Sequence, residues 1–420
     1  MQPTTGRNKV VTNTYAHRLN ASSALTRRGL LKGAGATGLA LAAPPLIGRG
    51  AARAAENWPV GWVRATTGPF ASTLAELYVP GLIALEQINA GGGVLGRKMV
   101  QAEEDDQASP AAQPAIARKL HEMGVNCIVG PAGTSPTLAS LAVTTELKML
   151  QAGFASHSVL GDARQYPYHY HIGLTIEMEA EGGVEYAVDQ LGLKKIGIMA
   201  EASGFGDEII KQTVQQLAKR GLEAVSIQQA PSTTPDVAGY VGALQDSGAE
   251  AVMMWYASRP FAARIFSTMS NVGFQPEAVV GHYIVLDHVT MENADPEVLE
   301  RTVAPYYVNL TWKGDQTMPA EQIAFAEAMA ASGIKPSPIG AVAPWYDFLK
   351  MIRQAAEDAG SLDSEKLKAA MDSFKDYNGL LGPITFTPDN HVGIGRDAMV
   401  MVKASSHGDP RAMGVFRERL

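Results

Sequence analysis

The sequence predicts an α/β protein with two similar lobes, each built on a parallel-rich sheet. Along most of the chain, short apolar runs alternate with stretches of helical periodicity. Strands separated by helices of about ten to fifteen residues are typical of parallel sheets covered on both faces. The alternation forms two series, and residues 55–420 exceed what one hydrophobic core usually serves, so two lobes are expected.

The first series predicts the first lobe. Apolar residues recur at helical spacing from Leu74, and the glycines from Gly91 onwards end that helix. Ser109 and Pro110 fit the cap and the first position of the next helix. The predicted strands are 60–65, 98–105, 127–129 and 149–154. The predicted helices are 74–90, 110–123 and 136–147.

The same order returns further along the chain and predicts the second lobe. Its predicted strands are 195–200, 223–228, 251–255 and 278–280. Its predicted helices are 207–220, 236–247 and 261–272. The C-terminal part is predicted to hold helices at 320–331, 345–359 and 365–374, followed by strands at 384–386 and 398–403.

A glycine-rich stretch near the start of the chain has two interpretations. Gly33, Gly35 and Gly38 have the G-x-G-x-x-G spacing of a dinucleotide-binding loop, but no strand pattern precedes them and no acidic residue follows before residue 56. The alternative begins with TRRGLLK at 26–32, which resembles the twin-arginine export motif. An uncharged run and a small-x-small cleavage site follow it. We expect residues 1–54 to be a twin-arginine signal peptide, with the rest of the protein in the periplasm.

Charge and cysteine content narrow the functional classes. Residues 1–54 hold eight of the 35 basic residues and none of the 42 acidic ones, so the rest of the chain has a net charge of −15. A surface that negative repels phosphate backbones, which argues against a nucleic-acid partner. Cys127 is the only cysteine, and its apolar surroundings in the sequence indicate a buried hydrophobe rather than a reactive thiol.

A set of short motifs spreads over residues 58–405. The most specific is INAGGGVLGRK at 88–98, which follows TGPFA at 67–71 and precedes two aspartates. Further matches are GP at 130–131, GFG at 204–206 and LGPITF at 381–386. Together they resemble the leucine/isoleucine/valine-binding family, the periplasmic solute-binding proteins of ABC transporters.

This resemblance implies a type I periplasmic binding protein, with two Rossmann-like lobes joined by a three-strand hinge. The N-terminal lobe would comprise residues 55–174 and 306–384, and the C-terminal lobe residues 175–305 and 385–420. The resemblance also implies a monomer that carries a small-molecule carboxylate or amino acid to a membrane permease, without catalysis, cofactor or metal.

The loop after the strand at 127–129 is the first candidate for ligand contact. Ligands of open α/β sheets lie beyond the carboxyl ends of the strands, where helices begin. Gly133, Thr134 and Ser135 would offer helix-start amides and hydroxyls, which suit a carboxylate. The resemblance places Thr134 where the family has a Ser or Thr that holds the ligand carboxylate. Alternatively, Ser135 only caps a helix that begins at Pro136.

The loop after the strand at 149–154 is the second candidate. In the family this loop usually reads Ser-Ala-Thr and supplies a hydroxyl and a backbone carbonyl to the ligand. Ala155 and Ser156 are the matching residues, with a one-residue insertion. His157 is either a further ligand contact or an ordinary histidine of a surface loop.

Aromatic residues are the candidates from the second lobe. The resemblance places Phe205 where the family commonly has a Tyr that stacks on the ligand side chain. Trp255 and Tyr256 end a predicted strand, near its ligand-facing rim. Aromatic rings serve both pockets and interdomain packing, so Trp255 and Tyr256 fit either role.

Tyr283 marks a departure from the family pattern. Amino-acid binders of the family often place a Glu two residues after the glycine that corresponds to Gly281, where it pairs with the ligand ammonium. A buried ammonium without a carboxylate partner is costly. We therefore expect a ligand without an amine, such as an aromatic or apolar carboxylic acid.

Other local patterns lack the context that their chemistry requires. The run at 91–98 follows a predicted helix and lacks the Lys of a phosphate-binding loop. His169 and His171 would lie on one face of a strand and could hold a metal with a third ligand, but a strand at the first crossover is the preferred interpretation. The sequence contains no Gly-x-Ser-x-Gly motif of a catalytic nucleophile, which argues against an enzyme. A ligand sensor on the same fold is the alternative to a transport protein, although no output domain is evident.

Overall fold

The computed structural model describes residues 57–68 and 71–420, so the predicted signal peptide lies outside the described residues. The strands in chain order are β1 (Trp58–Arg64), β2 (Met99–Asp105), β3 (Cys127–Ala132), β4 (Leu150–Phe154), β5 (Ile196–Glu201), β6 (Ala224–Ala230), β7 (Ala251–Trp255), β8 (Ala278–Gly281), β9 (Thr302–Tyr307), β10 (Thr311–Trp312), β11 (Tyr377–Asn378), β12 (Pro383–Ile384), β13 (Met399–Lys403) and β14 (Arg417–Glu418).

The α-helices connect these strands, as parallel pairing requires. They are α1 (Ala71–Leu74), α2 (Val79–Ala90), α3 (Gln113–Glu122), α4 (Thr134–Glu146), α5 (Ile176–Val184), α6 (Gly204–Ala218), α7 (Ala238–Asp246), α8 (Arg259–Val272), α9 (His288–Met291), α10 (Pro296–Glu300), α11 (Ala320–Ala331), α12 (Pro338–Ala341), α13 (Trp345–Ala359) and α14 (Ser364–Met371). Gly273 and Gly360, both left-handed, follow α8 and α13 and end them.

Two sheets form the two predicted lobes. The first lobe holds a parallel sheet in the order β2-β1-β3-β4. The second lobe holds a sheet in the order β13-β9-β8-β7-β5-β6, in which only the β13–β9 pair is antiparallel. β3, β5, β7 and β9 are buried along their whole length, as strands covered on both faces should be. The two-lobed α/β prediction is confirmed.

The chain passes between the lobes three times. It leaves the first sheet after β4 and builds the second from β5 to β9. Helix α13 then returns to the first lobe, where the Trp345 indole donates a 2.7 Å hydrogen bond to the carbonyl of Ala152 and stacks on Tyr78 at 4.1 Å. Strand β13 finally rejoins the second sheet. The boundaries at 174, 306 and 385 stay predictions.

Some local predictions are wrong. No strand forms at 168–171, where only isolated bridges join His169 to Gln151 and His171 to Val392. A 3₁₀ turn at Pro110–Ala112 precedes α3, and the Ser109 side chain does not cap it. The predicted strand at 384–386 is reduced to the two-residue β12, whose partner is the equally short β11.

Candidate ligand site between the lobes

Helix α4 begins at the rim of the first sheet, directly after β3. Gly133 precedes the helix with φ 105° and ψ 144°, a conformation that residues with a Cβ rarely adopt. The Gly133 amide donates a 2.8 Å hydrogen bond to the carbonyl of Phe154, which ties the start of α4 to the end of β4. Because α4 starts at Thr134, the alternative that Ser135 caps a helix beginning at Pro136 is wrong.

Thr134 and Ser156 meet at this helix start. The Thr134 hydroxyl donates to the Ser156 carbonyl at 3.2 Å and accepts from the Ser156 amide at 3.3 Å. Thr134, Ala155 and Ser156 are half-buried, and Ser135 is exposed. The first amides of a helix have no partner inside the helix and carry a partial positive charge. The arrangement therefore offers amides and hydroxyls to an anion.

Aromatic rings of the second lobe meet a ring of the first. Phe205 lies at the start of α6, and Tyr283 follows β8 in a 3₁₀ turn. Their rings flank His282, at 5.2 Å from Phe205 and 3.7 Å from Tyr283. The Phe154 ring, directly before the Ala155–Ser156 loop, lies 6.4 Å from the Tyr283 ring. The Phe154–Tyr283 contact therefore joins the strand end beside Thr134 and Ser156 to the aromatic residues of the second lobe.

Two predicted aromatic contacts lie inside the second lobe. Trp255 and Tyr256 are both fully buried. Trp255 packs among core residues near Gly183 of α5, and the Tyr256 ring meets Phe261 edge-on at 5.4 Å. In this conformation Trp255 and Tyr256 have no exposed surface, whereas Phe205 and Tyr283, which are also largely buried, keep 7% and 5% exposure. The pocket role suggested by the sequence stays a prediction that this geometry does not favour.

The histidines singled out in the sequence make local contacts. The His157 Nδ1 accepts a 3.2 Å hydrogen bond from the Val159 amide, which fits the surface-loop interpretation. His169 is buried between backbone groups, with Nδ1 2.9 Å from the Leu160 carbonyl, and burial lowers its pKa to about 3. Burial also lowers the pKa of His171 to about 4. Within residues 57–68 and 71–420, no cluster of three or more His, Cys, Asp or Glu side chains is arranged to hold a metal ion.

Glu179 and His282 are site features that sequence reasoning missed. Glu179 of α5 is fully buried, and among the described residues neither of its carboxylate oxygens has a hydrogen-bond partner. The Nε2 of His282 lies 3.5 Å from Oε2 of Glu179. Burial raises the pKa of Glu179 well above its ordinary value and lowers that of His282 to about 3. His282 could have been suspected from its place beside Tyr283, whereas nothing in the sequence distinguishes Glu179.

The chain matches the family described as periplasmic binding protein over residues 57–409, and it belongs to that family. It is 22% identical over 328 residues to Leu/Ile/Val-binding protein homolog 1 of Brucella abortus (strain 2308), a match that covers 76% of this chain and 83% of the relative. The family description is that of proteins that bind solutes in the periplasm rather than of enzymes.

Solved structures share the fold. A type 1 periplasmic binding protein from Bordetella pertussis Tohama I superposes with a TM-score of 0.75 at 22% identity, covering 87% of this chain and all of that chain. A solute-binding protein of an ABC transporter from Rhodopseudomonas palustris BisB5, in complex with 3,4-dihydroxybenzoic acid, superposes with a TM-score of 0.70 at 21% identity. The match covers 83% of this chain and 93% of that chain. The branched-chain amino acid transporter substrate-binding protein LivJ from Streptococcus pneumoniae, in complex with isoleucine, superposes with a TM-score of 0.70 at 19% identity. The match covers 83% of this chain and 96% of that chain.

Within the described part of the chain, no helix combines the length and the apolar character needed to cross a membrane.

Proposed function

We propose that this protein is the solute-binding component of an ABC importer and captures a small carboxylate between its lobes. The observation that carries the proposal is the Thr134–Ser156 pair at the start of α4, joined through Phe154 to Tyr283 of the second lobe. A ligand held there touches both lobes only when they are closed. Its binding therefore shifts a hinge equilibrium toward the closed state, which the permease would recognise.

The carboxylate would bind at the start of α4. Two groups suit it: the unpartnered amides at the helix start and the Thr134 hydroxyl. On binding, the Thr134 hydroxyl would exchange its 3.2 Å hydrogen bond to the Ser156 carbonyl for one to the ligand carboxylate, while it continues to accept from the Ser156 amide. Gly133, Ser135 and Ala155 would line the same pocket beside Thr134 and Ser156, mainly with their backbone atoms.

The remainder of the ligand would lie against rings. Phe205, His282 and Tyr283 form the wall contributed by the second lobe. Tyr283 cannot pair with an ammonium as a carboxylate would. The nearby carboxyl of Glu179 lies 3.5 Å from His282, but burial raises its pKa well above the ordinary value and so disfavours its charged form. We therefore favour an aromatic or apolar acid over a branched-chain amino acid. The fold neighbours that hold 3,4-dihydroxybenzoic acid and isoleucine define the two ligand types to compare.

The proposal includes export and delivery. Residues 1–54 would act as a twin-arginine signal peptide, and the remaining chain would work in the periplasm as a monomer with a separate membrane permease. The lobes would be divided near residues 174, 306 and 385.

A calorimetric titration tests the proposal. The protein without residues 1–54 is titrated with 3,4-dihydroxybenzoate, benzoate, isoleucine and benzamide, the last as an uncharged control. We expect saturable binding of an aromatic carboxylate, no binding of benzamide, and at least tenfold weaker binding of isoleucine. Micromolar isoleucine binding together with no response to either aromatic acid would refute the ligand class. Product formation from a bound compound would refute the binding-protein role.

A further inference from the structure

A buried ionic cluster joins the two lobes. Glu76, from a 3₁₀ turn at Ala75–Tyr78 in the first lobe, places Oε1 2.6 Å from Nη1 of Arg259, the first residue of α8 in the second lobe. The side chains of Glu76 and Arg259 are only 6% and 11% exposed. Oε2 of Glu76 accepts a 2.9 Å hydrogen bond from the Ser337 hydroxyl, next to α12. The contact is therefore an interlobe ion pair shielded from water.

A second carboxylate meets the same guanidinium. Oδ2 of Asp287 lies 3.4 Å from Nη1 of Arg259, and the Asp287 side chain is fully buried. Its other oxygen accepts from the Val289 amide at 2.9 Å, which fixes the carboxylate at the start of α9. Asp287 directly follows the 3₁₀ turn Tyr283–Leu286, whose first residue lies in the proposed ligand wall. The cluster is thus joined by one short turn to the cleft.

Other charged groups near this cluster belong to the second lobe. The Nδ1 of His288 lies 3.5 Å from Asp287, and the buried Arg417 donates to the carbonyl of Leu286 at 2.6 Å. Burial raises the pKa of Glu76 to about 7, while the charge of Arg259 lowers it. Burial therefore disfavours the charged form of Glu76 in this arrangement of the lobes, and the charge of Arg259 offsets part of that desolvation cost.

Removing the cation has a predictable consequence. Without the guanidinium, Glu76 and Asp287 would face each other as buried carboxyl groups, and the closed arrangement would require Glu76 either to bind a proton or to stay charged without a cation, because the Arg259 charge that lowers its pKa is lost. Breaking a buried pair by removing one partner is strongly destabilising, because an uncompensated charge remains. Glu76 and Asp287 come from different lobes, so they can be hydrated if the lobes separate. Opening of the cleft is the response that the geometry favours over unfolding of either lobe.

We propose that Arg259 is a positioning residue for ligand capture, which holds the lobes in the arrangement that brings Phe154 of the first lobe against Tyr283 of the second. The inference rests on the proposed function, because closure serves capture only if a ligand binds between the lobes. In this proposal Arg259 acts through the lobe arrangement and not by binding the ligand itself. The cluster of Glu76, Arg259 and Asp287 connects the two lobes and is separate from the proposed carboxylate contacts at the start of α4.

A distance measurement without ligand tests this inference. Spin labels are placed on cysteines introduced at two exposed positions, Glu122 at the end of α3 in the first lobe and Gln245 in α7 of the second. Cys127 is fully buried and is not expected to react. Pulsed electron spin resonance then gives the distance distribution. Arg259→Met should broaden it toward longer distances, whereas an Arg259→Met distribution identical to that of the unmodified cluster would overturn the inference.

Control variants distinguish the loss of the interlobe ion pair from a non-specific effect of replacing an arginine in α8. Arg264→Met removes a cation from the same helix, where Arg264 donates to the Ser232 carbonyl within the second lobe, and should leave the distances unchanged. Glu76→Gln combined with Arg259→Met removes one of the two like charges and should move the distribution part of the way back. An Arg264→Met distribution as broad as that of Arg259→Met would contradict a specific role.

Ligand kinetics distinguish this inference from the proposed function. With 3,4-dihydroxybenzoate as the probe, Arg259→Met should raise the dissociation rate by at least about tenfold, which corresponds to about 1.4 kcal/mol. Unaltered dissociation and distances in Arg259→Met, with normal binding by the unmodified protein, would overturn the inference alone. Altered distances with no binding of any carboxylate by the unmodified protein would overturn the proposed function and leave Arg259 as a closure residue.

Discussion

Replacing Thr134 by Val removes the hydroxyl at the start of α4 while keeping the shape of the side chain. That hydroxyl donates to the Ser156 carbonyl at 3.2 Å and accepts from the Ser156 amide at 3.3 Å, and we propose that it donates to the ligand carboxylate instead of to the carbonyl when a ligand binds. A hydrogen bond to a charged group contributes about 1.5–3 kcal/mol. Thr134→Val should therefore raise the dissociation constant of the bound carboxylate by about ten- to a hundred-and-fiftyfold.

The assay is a calorimetric titration of three variants with the same carboxylate. Thr134→Ser keeps the hydroxyl and should bind within a few-fold of the unmodified protein. Thr145→Val makes the same substitution at the other end of α4 and serves as the matched control. Thr134→Val also leaves the Ser156 amide without its acceptor, so the free energy of unfolding without ligand should fall by about 1 kcal/mol. Equal affinities for Thr134→Val and Thr145→Val would refute the role of the hydroxyl.

The other predictions concern backbone strain, buried charge and packing. Gly133→Ala should cost about 1–3 kcal/mol of unfolding free energy, because φ is 105° there, and should weaken carboxylate binding; thermal melts with and without ligand check both. The raised pKa of Glu179 means that its stabilising contribution is present at low pH and is lost as the pH rises through the folded-state pKa. Glu179→Gln should therefore gain stability relative to the unmodified protein between pH 5 and 8, and parallel melting curves over that range would contradict this. Trp345→Phe should lose about 1–3 kcal/mol in denaturant unfolding, because the Ala152 carbonyl loses its indole donor, and an unchanged midpoint would argue against that hydrogen bond.

The fold could be predicted from the sequence because periodicity and turn residues act locally. β1, β7 and α13 lie within a few residues of their predicted bounds, since buried strands and amphipathic helices leave clear patterns. The stretch at 168–171 alternates polar and apolar residues, yet its backbone bonds go to neighbouring segments one residue at a time. Alternation alone therefore does not establish a strand, because the pairing of this stretch with β4 stops after the single bridge to Gln151.

The candidate site was only partly predictable. Four candidate residues follow the carboxyl ends of strands, which is enough to predict from the sequence that they lie at the ligand-binding edges of the sheets. They are Thr134, Ser156, Phe205 and Tyr283. The true start of α4 depends on the Gly133 dihedral angles, which the preference for Ser caps and early prolines does not reveal. The tie between Glu76 and Arg259 joins residues from different lobes, so no local pattern could indicate it.

Where the carboxylate of a bound acid lies is the most direct test of the account. A crystal structure of the complex with the tightest-binding carboxylate should show its oxygens within hydrogen-bond distance of the Thr134 hydroxyl and the first amides of α4, with the ring or chain against Tyr283. A complex in which the acid binds elsewhere, or points its carboxylate toward Phe205, would contradict it.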